Sequence, residues 1–156
     1  MTNWCKNLVT ISNDDQKVIE KIKNAFHRNK LFDAFIPCPT ELEELTSMKP
    51  NDALVRKMVA KHGAEDWYLW RLDHWGTKWD TGRSHGTLTV VRPTKIKLDV
   101  KTAWTPPIPV FDCWVDLGCH VRAQFCEPEW GVAGSYVDKR VDVLDRRRVK
   151  SRRLVR

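Results

Sequence analysis

No run of apolar residues in this chain approaches the length needed to cross a bilayer. The opening residues, Met1-Thr2-Asn3-Trp4-Cys5-Lys6, contain no apolar stretch of signal-peptide length. These two absences point to a cytosolic protein with no membrane partner. Cysteine is present but unpatterned. Cys5, Cys38, Cys113, Cys119 and Cys126 are odd in number, which argues against a disulfide framework and for most of them being buried thiols acting as small hydrophobes. The short Cys-to-Cys spacing of structural zinc sites is missing. Cys119 and His120 are adjacent at a strand start and point to opposite faces, as do Cys119 and Cys126. A phosphate-cradling loop is missing too, because Gly76-Thr77-Lys78 has neither the Gly-Lys pair nor a correctly spaced upstream glycine. Asp73, His74, Asp80 and His85 match no acid–base arrangement and read as solvated loop residues. No catalytic residue, metal or cofactor is expected, and there is no internal repeat.

What is there describes one globular domain. The 156 residues are 42% hydrophobic and 30% charged, enough for a core that needs no staples. The net charge of +7 is unevenly placed. Residues 138–156 hold nine Lys/Arg against three Asp, so six of those seven charges sit in the last 19 residues. The body before them is nearly neutral, and the isoelectric point says little about it.

Periodicity supplies the elements. Residues 4–12 read as a strand with Val9 and Ile11 on one face. Ser12-Asn13-Asp14-Asp15 resembles a capping box opening a helix that runs to about His27, with Val18, Ile19, Ile22, Ala25 and Phe26 as its apolar stripe. Leu31 to Ile36 reads as a second strand. Residues 40–49 read as an acidic loop with a helical turn, and Asn51 to His62 as a helix stopped by Gly63. Strands over 86–91 and 95–101 are joined by the turn Arg92-Pro93-Thr94, and Ile96, Leu98 and Val100 alternate with Lys95, Lys97, Asp99 and Lys101. Thr105 is placed to cap a helix with Val110, Phe111, Trp114 and Leu117 as its buried stripe. Strands over 120–126 and 132–137 follow, and from Asp138 a charge run begins. The order predicts an α+β fold, an antiparallel sheet with helices packed on one face.

Several motifs are distinctive. Met1-x-Asn3-Trp4-Cys5-x-Asn7, Trp75-Gly76-Thr77-Lys78-Trp79-Asp80, Thr102-Ala103-Trp104-Thr105-Pro106-Pro107-Ile108-Pro109-Val110 and Glu127-Pro128-x-x-Gly131-x-Ala133-Gly134 occur in that order. Together they resemble the YubB-type ferredoxin-like domain family of phages and conjugative plasmids. The resemblance implies a ferredoxin-like fold, a mobile-element origin and therefore a bacterial host cytosol. It implies no iron–sulfur cluster and no chemistry. On this reading residues 1–137 form the domain, with a helical and aromatic insertion over about 40–82, and 138–156 form a basic tail. The residues around 81–91 look rearranged and the tail looks added relative to the family.

Two segments are candidates for contact with a partner. Thirteen residues, 67–79, hold four of the chain's eight tryptophans, with Trp67, Trp70, Arg71 and His74 on one helical face. Most of these indoles read as closing one end of a small core. Trp75 and Trp79 read as the exposed pair, with Arg71 and Lys78 adding charge for stacking or interface contacts. The second candidate is the tail, Arg146, Arg147, Arg148, Lys150, Arg152 and Arg153, whose guanidinium and ammonium groups suit phosphates or an acidic protein surface. The expected function is non-catalytic binding and inhibition of a host defence complex, a CRISPR effector for example. The alternative is a nucleic-acid-binding module using the tail with the Trp, Arg and Lys surface.

Overall fold

The computed structural model describes residues 2–144. In chain order the elements are β1 (Trp4–Ser12), α1 (Gln16–His27), α2 (Thr40–Glu44), α3 (Asp52–His62), α4 (Trp67–His74), β2 (Gly86–Arg92), β3 (Lys95–Ala103), α5 (Ile108–Asp116), β4 (His120–Glu127), β5 (Val132–Val137) and β6 (Arg140–Leu144). The strands form one six-stranded sheet in the order β2-β3-β1-β4-β5-β6, each neighbouring pair antiparallel. Among the described residues no helix is long and apolar enough to cross a membrane.

Strand alternation decides which face is covered. Val9, Ile11, Ile96, Leu98, Val100, Val121, Ala123 and Tyr136 all point to one side, where they pack with Ile19, Ile22 and Phe26 of α1 and Val110, Phe111 and Trp114 of α5. Their neighbours Leu8, Lys97, Asp99, Arg122 and Gln124 point to the other side and stay exposed. All the helices therefore sit on one face of the sheet, and the opposite face is bare. Burial of this contiguous apolar set supplies the main driving force for the fold.

Several local expectations need correction. Ser12 ends β1 and caps nothing. Asp15 caps α1, its carboxylate accepting from Lys17 N at 3.0 Å, while Asn13 turns inward and donates to Leu117 O at 3.1 Å. Residues 31–36 are turns, not a second strand. Leu31 and Phe32 are both fully buried although adjacent, which a strand with one covered face does not allow. The backbone closes on itself through Ile36 N to Phe32 O. The sheet position beside β3 belongs to β2, so the non-sheet insertion spans 28–85 and follows α1 directly. Thr105 does not cap α5, whose N-cap is Pro107, and Leu117 is 46% exposed just past the helix end.

Residues 138–144 belong to the sheet. Asp138 and Lys139 form a two-residue turn with positive φ at both positions, the mirror-image turn that matches strand twist, and Arg140–Leu144 returns as β6. The turn is anchored from outside: Asp138 Oδ1 accepts from Val121 N at 2.8 Å, and Lys139 pairs with Asp116. The tail residues Arg146, Arg147, Arg148, Lys150, Arg152 and Arg153 lie outside the described residues.

Within the insertion, Glu41 on α2 holds Lys61 and His62 on α3, and these partners lower its carboxyl from the ordinary 4.5 to about 2. A depressed carboxyl pKa contributes stability that is present above the ordinary value and lost as pH falls through the lowered one. Acid titration of the wild type is therefore expected to loosen the α2–α3 contact between about pH 4.5 and 2. In Glu41→Gln that step is absent from the helical circular dichroism signal, and a step that persists in the variant assigns it to another group.

Candidate binding surface

The segment after α4 is neither helix nor strand, so its position depends on side-chain hydrogen bonds. β2 pairs with β3 only as far as Val100, leaving the last residues of β3 without a strand on that side. Threonines fill the gap. Thr77 Oγ1 donates to Ala103 O at 2.8 Å, Thr81 Oγ1 donates to Lys101 O at 3.0 Å, and Thr105 Oγ1 donates to Gly76 O. Thr77 and Thr81 are buried, so each hydroxyl satisfies a carbonyl that would otherwise lose its water. Asp80 ties the other edge: its carboxylate accepts from Phe32 N at 2.8 Å, Asp33 N at 2.9 Å and Thr81 N at 2.8 Å. Burial pushes this carboxyl above its ordinary range against the pull of those three N–H groups. Asp80 is thus a structural acceptor and not the solvated loop residue expected.

This scaffold carries a continuous series of rings running from core to rim. Trp75 is only 1% exposed and donates from Nε1 to Ile36 O at 2.8 Å. The Arg71 guanidinium lies 4.7 Å from both the Trp67 and Trp75 ring centroids and bonds Glu43 at 2.5 Å. Trp67 meets Tyr68 edge-on at 6.1 Å, and Tyr68 meets Trp104 at 6.4 Å. Lys78 places its ammonium 4.8 Å from the Trp79 ring and 5.5 Å from each of Tyr68 and Trp104. Trp79 lies 6.1 Å from Trp4, which lies 5.2 Å from His85.

The site residues expected from sequence therefore divide. Trp79, 37% exposed, and Lys78, half-buried beside it, belong to the rim. Trp75 is core, which corrects the reading of Trp75 and Trp79 as an exposed pair. Arg71 is held inside the insertion by two indoles and a carboxylate. Its chemistry is a clamp between α4 and α2, since a guanidinium stacks on rings while pairing in its own plane. The other rim members are Trp4, Tyr68, Trp104 and His85, of which the sequence offers only His85, and that as a solvated loop residue. Trp4 and Trp104 stand in the quoted motifs, but only the register of Trp4 against Ala103 brings those motifs to one end of the sheet.

Trp104 carries a second signal. Its φ is 67°, the left-handed region that costs a bulky side chain about 1–2 kcal/mol. The hydrogen bond from Trp104 N to Asn3 O, 2.9 Å, holds it there. Beyond the rings, Trp4, Arg83, His85, Asp99 and Lys101 line an open groove of about 500 Å³. On the far side of the same sheet end, the buried carboxylate of Glu127 accepts from Glu129 N and Trp130 N, shaping a turn that leaves Trp130 65% exposed.

Four of the five thiols are poor nucleophiles, and the fifth, Cys126, is exposed on the bare face of the sheet, where the expectation of a buried thiol does not hold. Burial pushes Cys5 up to about 12 and raises Cys38, Cys113 and Cys119, so each stays a thiol at neutral pH. What the arrangement can do chemically is stack flat groups and pair negative charge.

No family model matches the chain, and no curated protein matches it. Among solved structures it is similar to protein api92 from Yersinia pseudotuberculosis, labelled with the family DUF1281. The identity is 12%, the TM-score is 0.49, and the match covers 94% of this chain and 95% of that one. A likeness this distant carries no argument about fold or function.

Gly76 sets the direction of the aromatic segment. Its φ is 76°, and a Cβ there would stand 2.9 Å from Pro109 Cδ and 3.2 Å from Pro106 O. Gly63 has the same φ with nothing within 4 Å. Gly63→Ala is expected to cost about 1 kcal/mol from backbone strain alone. Gly76→Ala should cost at least about 1 kcal/mol more, because the proline must also move. Urea denaturation of both variants measures the difference, and equal losses would mean the α5 contact yields freely.

Proposed function

We propose that this chain is a non-catalytic nucleic-acid-binding module whose contact surface is the aromatic rim around Trp4, Lys78, Trp79 and Trp104. The observation that carries the reading is the groove in which the Trp4 indole and the His85 imidazole stand beside Arg83 and Lys101. Bases stack on such rings whatever their sequence, and adjacent cations neutralise the backbone. The arginines and lysine of the tail add sequence-independent attraction. The four thiols raised by burial, Cys5, Cys38, Cys113 and Cys119, favour binding over covalent catalysis at those positions.

The order β2-β3-β1-β4, with β1-α1-β2 and β3-α5-β4 as two halves and β5-β6 appended, supports reading the sheet as ferredoxin-like. Origin on a phage or plasmid, and so action inside a bacterial cytosol, rests on the motif resemblance alone.

A second reading, inhibition of a host defence complex such as a CRISPR effector, is favoured by a different observation. Among the described residues β6 pairs only with β5, and Val141, Val143 and Leu144 are exposed along it. A free apolar edge of this kind accepts a strand from a protein partner. If that edge is the contact, Val143→Lys lowers recovery of a stoichiometric host complex, and unchanged recovery speaks against it.

For the nucleic-acid reading, Trp4→Ala and Trp79→Ala are each expected to weaken binding of a labelled single-stranded oligonucleotide by about 5- to 150-fold, the range for one lost stacking contact. Removing residues 145–156 deletes seven Lys/Arg and should reduce the log–log salt slope by as much as about 5. The cut must fall after Leu144, because a deletion from 139 would also remove β6. Wild-type affinity in both tryptophan variants would remove the aromatic rim from the reading.

A further inference from the structure

The bare face of the sheet carries charge in rows. Across the strands, Lys101 stands opposite Lys6, which stands opposite Cys126, then Ala133, then Leu144. Two residues along, Asp99, Leu8, Gln124, Ser135 and Asp142 form a second row. Two further, Lys97, Thr10, Arg122, Val137 and Arg140 form a third. The outer rows thus hold five cations and no acid. The middle row holds hydrogen-bonding side chains and Leu8, which is 53% exposed.

One feature of this pattern is costly for an empty surface, and a second leaves its cations available to a ligand. Lys6 and Lys101 are directly opposed across neighbouring strands, a like-charge pairing that destabilises a sheet. None of Lys6, Lys97, Lys101, Arg122 or Arg140 forms an ion pair among the described residues, although Asp99 and Asp142 share their face. The sheet is also hollowed here, with a depression of about 580 Å³ lined by Leu8, Thr10, Lys97, Asp99, Arg122 and Gln124.

We infer that this bare face is the path of a single nucleic-acid strand, continuous with the Trp4 groove. The inference rests on the nucleic-acid reading above and names its substrate class. Lys97 and Lys101 are four residues apart, so the outer rows lie about 13 Å from each other. A single strand fits that spacing with phosphates along a cationic row and base edges over the middle row. Gln124, Ser135 and the carboxylates of Asp99 and Asp142 then meet base donors and acceptors, and Leu8 meets a base face. A duplex fits poorly. Its Watson–Crick edges are already paired and its groove edges lie too deep for a flat sheet of short side chains, and its phosphates would pass over two carboxylates. Trp4 lies on the same face as Lys6 and Leu8, one step beyond the Lys6 row, and its groove shares Thr87 and Asp99 with the depression, so the two are continuous. Leu144, the last described residue, stands on the Lys6 row.

The test uses the full chain. Wild type and the triple variant Lys6→Gln/Lys101→Gln/Arg122→Gln are titrated by fluorescence anisotropy against labelled 20-nucleotide single-stranded DNA, single-stranded RNA and matched duplex DNA over a range of salt. The three side chains are exposed, and an unchanged Tm confirms that the variant folds. The expected result is at least about tenfold tighter binding to one or both single strands than to duplex. The triple variant should bind at least about tenfold more weakly, with the log–log salt slope reduced by about 2, the loss of three phosphate contacts. Wild-type affinity in the triple variant, with binding still weakened by Trp4→Ala or by removal of 145–156, overturns the path and leaves the nucleic-acid reading standing. Equal binding of duplex and single strands also overturns it. No binding of any oligonucleotide overturns both.

Discussion

The aromatic end of this protein depends on hydrogen bonds that stand in for a missing strand. β3 runs past the point where β2 stops pairing, and Thr77 and Thr81 give its final carbonyls their donors. Without them the buried carbonyls would lose water and gain nothing, and the segment bearing Lys78 and Trp79 would have no fixed height above the sheet. Asp80 links that segment to the turn at 31–36, so core turn, aromatic segment and sheet end form one hydrogen-bonded seam. The position of Trp79 beside Trp4 follows from it.

Much of the sheet was legible because alternation is strong where one face is covered. Lys95 to Lys101 shows the pattern plainly, and β1, β4 and β5 fall where periodicity puts them. Two segments went astray for physical reasons. Leu31 to Ile36 is rich in residues that suit strands, but a buried carboxylate far along the chain captures its N–H groups and bends it into turns. Arg140–Leu144 is a strand without a covered face, so it shows no alternation in burial. Its turn is Asp138-Lys139 rather than the Asn-Gly or Asp-Gly that signals such hairpins, and the anchoring contacts come from β4 and α5. A count of six strands was reachable from sequence only by one loss and one gain that cancel.

The site was less legible than the fold. Tryptophan density located the region but not which rings face out. Trp75 and Trp79 are four apart with a left-handed glycine between them, and that reversal sends one into the core and leaves the other at the rim. Arg71 looked available because its partners, Glu43 and Trp67, become neighbours only when α2 and α4 pack. The cationic rows needed strand order. Lys6, Lys101 and Arg122 are far apart in sequence, and nothing in composition hints that two of them stand directly opposed.

The position of β6 also sets how wide the bare face is. Six strands at their usual spacing are about 24 Å wide, and the sixth is present only because the chain reverses at Asp138-Lys139. Asp138 is held by Val121 N and Lys139 by Asp116, so one margin of the uncovered surface is fixed by contacts from β4 and α5 and not by the edge strand itself.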